Sequence, residues 1–229
     1  MNTAIVIALI ALAGSIASTL LSVFGAASLQ ARRQARQTLD AYRAPLLAAC
    51  YELQARLYNI LCLQFIEKYI TGNISGKRIS AIDSTLYVFA QFFGWREIIR
   101  QQVTYLQFPA DAKTRKISQL LGEITETFIS DAHGPQFMVW RVEQRGFGER
   151  MISTSDSRVA CIGYAAFLQQ SASMEMWLQP ITNDIQNLQE GGRKRLTELQ
   201  HLLLQLALEL DDADTSYPSG VYPAALRRA

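Results

Sequence analysis

The first 31 residues carry no charged side chain, whereas all 22 basic and 20 acidic residues lie from Arg32 onward. Ala4 to Ala26 forms a charge-free run. At 1.5 Å per residue it makes about 34 Å of helix, enough to cross a hydrocarbon core of ~30 Å. The run predicts an N-terminal transmembrane anchor within residues 1–30. A cleaved signal peptide is the alternative, with "GAA" at 25–27 as its cleavage site. Against it stand an n-region, "MNT", without Lys or Arg, and an apolar run longer than the usual 7–15 residues. Arg32, Arg33, Arg36 and Arg43 follow closely. By the positive-inside rule they stay in the cytosol, placing the N-terminus outside and the remaining chain in the cytoplasm.

Ala4, Ala8, Ala11, Ser15, Ser18, Ser22 and Gly25 recur at alternating steps of four and three. That 3.5-residue period is the seam of a left-handed helix pair, and small residues at a membrane seam let backbones approach. The seam predicts a self-associating membrane helix, with chance composition of an alanine-rich anchor as the competing account. A pore lined by the three serines is a further alternative, although no charged ring or filter motif accompanies them.

Residues 31–44 read as a basic juxtamembrane helix, 45–210 as one all-α cytosolic domain, and 211–229 as a flexible, proline-bearing tail. A net charge of +2 gives no bulk electrostatic basis for nucleic-acid binding. Arginine outnumbers lysine, which favours fixed, bidentate carboxylate pairs. Cys50, Cys62 and Cys161 form neither a disulfide framework nor a zinc spacing, and His133 and His201 have no partners at ligand spacing. The sequence therefore predicts no metal and no cofactor.

Apolar periodicity predicts a helical bundle. Pro45 is expected to end the juxtamembrane helix. Leu46, Cys50, Leu53, Leu57, Ile60, Leu61, Phe65 and Ile70 mark a helix over 46–70. Ile82, Leu86, Phe89, Phe93 and Ile99 mark one over 80–106. Ile117, Leu120, Leu121, Ile124 and Phe128 mark one over 112–130. The segment "FMVWRVEQRGFGERMI" is read as a helix despite the strand propensity of its first half. A short helix is expected over 158–170, another in "EMWLQPITNDIQNLQ" with Pro180 near its first turn, and a connector in "EGGRKR". Leu196, Leu199, Leu202, Leu203, Leu206 and Leu210 mark the last helix.

The densest polar cluster is "WRVEQRGFGER", with Arg141, Glu143, Arg145, Glu149 and Arg150. On a helix, Arg141 and Arg145 are neighbours, as are Arg145 and Glu149. Paired arginines suit an anionic ligand or a carboxylate partner. A salt-bridge network within the bundle is the plainer account, the interspersed glycines then allowing close helix packing. Arg96 and Glu97, beside Trp95, join the candidate binding residues, with an ordinary aromatic core helix as the competing reading. "GNISGK" lacks the full pattern of a phosphate loop.

The segments "YRAPLLAACYELQARLYNIL", "TLYVFAQFFGWREIIR" and "FMVWRVEQRGFGERMI" resemble an uncharacterised family of microbial helical proteins. The resemblance implies that the three segments share one packed domain, and it implies no activity. The expectation is a single-pass membrane protein with a cytosolic all-α domain, acting as a non-catalytic scaffold or regulator. It would bind a protein partner and self-associate. An oligomeric pore or signal-gated effector is the first alternative. The second is an enzyme acting on an anionic substrate through Arg141, Arg145 and Glu149.

Overall fold

The structure, a computed structural model, describes residues 41–72, 76–103, 112–155 and 158–211, with isolated helical positions at 22, 26, 30 and 37. Most of the expected membrane span, including Ala4, Ala8, Ala11, Ser15, Ser18 and Gly25, lies outside the described residues, as does the tail from 212. Ser22 is described as helical and exposed. Among the described residues no helix is long and apolar enough to cross a membrane.

Residues 41–62 are helical (α1), and Pro45 lies inside this helix instead of ending it. A proline in a helix forgoes one backbone hydrogen bond and costs about 3 kcal/mol. Leu46, Leu47, Leu53 and Leu57 are buried on this helix, and each such side chain returns ~1.5–3 kcal/mol. Burial wins. The predicted helix over 46–70 breaks instead at Gln64, whose φ of 57° is left-handed, and resumes as the short α2 (Phe65–Tyr69).

The central helix is α3 (Arg78–Val103). Leu86, Phe89, Ala90, Phe92, Phe93 and Ile98 are buried around its circumference, so other elements enclose it. Two hydroxyls on α3, Ser84 and Thr85, accept hydrogen bonds from Arg56 on α1. α4 (Ala112–Ile129) turns Ile117, Leu120, Ile124 and Phe128 inward, as its periodicity predicts. α5 (Arg141–Met151) is shorter than expected, because Phe137 lies in a turn with a left-handed φ of 55° and residues 138–140 are not helical, Trp140 being extended.

Two of the helix expectations fail at a hairpin. β1 (Ile152–Ser155) pairs antiparallel with β2 (Arg158–Cys161), in the register Ile152↔Cys161 to Ser155↔Arg158. "ISTSDSRVAC" is rich in β-branched and turn-forming residues and has no 3.6-residue apolar stripe, so a local strand pair is the better fit. α6 (Tyr164–Gln170) therefore starts six residues later than expected. A 3-10 turn, Ser171–Met174, leads into α7 (Glu175–Gln186), which holds Pro180 in its interior and not near its first turn. α8 (Glu190–Leu210) begins within "EGGRKR", so that stretch is helix and not connector. α5, α6, α7 and β2 pack on α3, while α8 packs on α4. The fold is mostly helical.

Candidate functional site

α3 and α5 cross where glycines remove the side chains between them. A Cβ on Gly148 would lie 2.4 Å from Glu97 Cβ and 2.8 Å from the Phe93 carbonyl oxygen. A Cβ on Gly94 would lie 2.7 Å from Met151 Cβ. Phe93 and Phe147 stack beside the crossing at 5.7 Å. This close approach carries Glu97 into the interior, where it is 3% exposed. Arg100 grips it with two charge-assisted hydrogen bonds of 2.6 Å, and Gln101 adds a third at 2.9 Å. Burial pushes the Glu97 carboxyl up. The hydrogen bonds from Arg100 and Gln101, with the charges of Arg100 and Arg145, outweigh burial and leave it below the ordinary carboxylate range.

Arg96, one residue earlier, donates to the buried Gln144 on α5. Gln144 donates in turn to the Val139 carbonyl at 2.8 Å. Burial pulls the Arg96 guanidinium down to about 10; Glu97 opposes this, while Arg141, Arg145 and Arg100 add to it. Arg96 and Glu97 thus join the α5 cluster at the crossing.

The α5 residues divide. Glu143 accepts from the Trp140 backbone N–H at 2.7 Å, closing the first turn of its own helix. Arg141 reaches α4 and pairs with Glu126 Oε1 at 2.5 Å, both side chains being more than half exposed. Arg145 and Glu149 are exposed on the outer side of α5. Sequence neighbours on α5 therefore look outward or across to other helices. The principal partners of Glu97 are Arg100 and Gln101, at i+3 and i+4, a spacing that was available in the sequence.

Beside this crossing α4 presents an open face. A groove of about 280 Å³ runs between α3 and α4, with Ile99, Leu121 and Thr125 along it and Arg96 and Arg100 at its edge. On the other flank of α4, a second groove of about 560 Å³ faces α8 and is edged by Glu123, Glu126 and Glu198. Both reach Ser118 and Gly122, and a Cβ on Gly122 would meet nothing within 4 Å.

The end of α4 is secured by a residue that sequence reasoning missed. Arg195 on α8 is fully buried. It donates to the carbonyls of Gln136 at 2.8 Å, Thr127 at 2.5 Å, Phe128 at 3.3 Å, Ser130 at 2.7 Å and Gly134 at 2.6 Å. Burial lowers its pKa, while Glu198 and Asp184 act to raise it. Gly191 permits the contact, since a Cβ there would sit 2.3 Å from the His133 carbonyl oxygen. Nearby, Glu198 accepts from Thr127 Oγ1 at 3.0 Å and meets His133 Nε2 at 2.7 Å. Asp184 holds the Phe137 N–H at 2.7 Å, fixing a residue whose φ is 55°.

Burial raises the Cys50 thiol, and raises Cys161 to about 12, so both are far from the lowered pKa of a reactive thiolate. Among the described residues, no three His, Cys, Asp or Glu side chains gather in a way that could hold a metal ion. No known protein family, curated protein or solved structure matches this chain.

Proposed function

We propose that this protein is a membrane-anchored, non-catalytic helical module that binds a protein partner through the outer face of α4. The observation that carries this reading is the open face itself: two grooves on either side of an uncovered Gly122. One has an apolar floor with an arginine edge, and the other has a carboxylate edge. Such a mixture of apolar floor and polar rim suits a polypeptide surface. The charge-free segment before Arg32 supports the anchor, and the basic residues after it support a cytoplasmic helical domain.

A photo-cross-linking residue at Gly122, placed in the full chain in its native membranes, is expected to give a discrete adduct. The same residue at Glu149 is expected to give none. Equal labelling at both sites, or none at Gly122, would refute the docking face. Alkaline extraction tests the anchor: full-length protein stays with the membrane pellet, and a chain starting at residue 38 is released.

A further inference from the structure

The outer face of α4 carries its charges in an order that its own helix opposes. Lys113, Arg115 and Lys116 stand at the start, and Glu123 and Glu126 stand in the second half. No acid occupies the first turn and no base the last. The positive end of the helix dipole thus meets cations, the reverse of the usual arrangement. A surface that breaks a local rule is expected to find its compensation elsewhere.

An antiparallel copy of the same helix supplies it. We infer that the outer face of α4 docks against α4 of a second copy of this chain, about a two-fold axis passing beside Leu120. This rests on the reading of α4 as a docking face and names its occupant. Arg115, Ser118, Gln119, Gly122 and Glu126 are exposed along one stripe. Reversing the stripe about Leu120 sets Ser118 of each copy against Gly122 of the other, and brings Arg115 level with Glu126 to within one residue, about 1.5 Å. Lys116 and Glu123 share the flank of α4 that faces α8, at about 100° per residue around the helix. A two-fold axis across antiparallel helices brings like flanks together. Lys116 of each copy therefore meets Glu123 of the other. On the opposite flank, the two apolar grooves that Leu121 lines come together. Each copy's cations lie at the negative end of the other's dipole. Arg141 already holds one oxygen of Glu126 and remains at the edge of the interface. Every contact between unlike residues is made twice, as an isologous interface requires.

The test uses the full chain in detergent, with two charge-reversed variants, R115E/K116E and E123K/E126K. All four positions are exposed or half-exposed, and unchanged helicity by circular dichroism confirms folding. Wild type is expected to be a dimer by light scattering. Each variant alone is expected to associate about tenfold more weakly, because like charges now face each other. An equimolar mixture of the two is expected to restore the dimer, the acidic stripe of one copy facing the basic stripe of the other. Two results overturn the inference: a monomeric wild type, or variants that dimerise as well as wild type because the membrane seam drives assembly. Neither result touches the docking reading, which stands or falls on whether Gly122 gives a discrete adduct, with a second copy or with a protein of different mass.

Discussion

The α3–α5 crossing and the outer face of α4 lie side by side and obey opposite rules. At the crossing, glycines bring two backbones together, and the one carboxylate carried inside has three hydrogen bonds from its own helix. On α4 a glycine faces open space, and the charges run against the helix dipole. The first arrangement leaves little for another molecule to satisfy. The second leaves space, and an order of charges that its own helix opposes. Glycine and arginine therefore mean different things a few ångströms apart, and burial decides which.

The two glycines break the comparison most sharply. Gly148→Leu must push apart Glu97 and the Phe93 carbonyl, and is expected to cost about 3 kcal/mol or more, read as a lower denaturant midpoint. Glu97→Gln keeps the shape but removes the charge that Arg100 grips, and should cost about 1–2 kcal/mol in the same assay. The pH dependence has a definite sign. Glu97 titrates lower in the fold than its ordinary value of 4.5. Its contribution is complete above that value and is lost as pH falls through the folded-state pKa. Wild type should therefore lose stability on acidification by more than Glu97→Gln does. Gly122→Ala has the opposite sign to Gly148→Leu: helix propensity improves and nothing obstructs the methyl, so stability should rise by about 0.5–1 kcal/mol. Arg141→Gln is the smallest change. Its pair with Glu126 is more than half exposed on both sides, and thermal unfolding should shift by less than about 0.5 kcal/mol.

The helical faces were legible because periodicity is local. The expected stripes of Leu46, Leu53 and Leu57, of Ile117, Leu120 and Ile124, and of Leu196, Leu199 and Leu203 are all buried. Pro45 misled because the proline rule is also local, whereas the burial that overrides it comes from helices packed later in the chain. "EGGRKR" misled for the same reason: it reads as a connector, but its Gly191 serves the approach of α8 to His133. The partners of Glu97 could be read at i+3 and i+4. The Arg141–Glu126 pair, 15 residues apart, could not. Arg195 was invisible as a site residue because its partners are backbone carbonyls, which leave no signature in residue type.

Arg195 also sets an order of assembly. The carbonyls it holds belong to residues 127–136, made some 60 residues before it during synthesis. Until α8 emerges, these carbonyls lack the guanidinium, and the Phe128 carbonyl keeps its bond from the Val139 N–H at 3.0 Å. A nascent chain stopped short of residue 195 would hold α1 to α7 without this tie, leaving the junction before α5 open to proteases. α8 is thus the clasp by which the helices before it are closed.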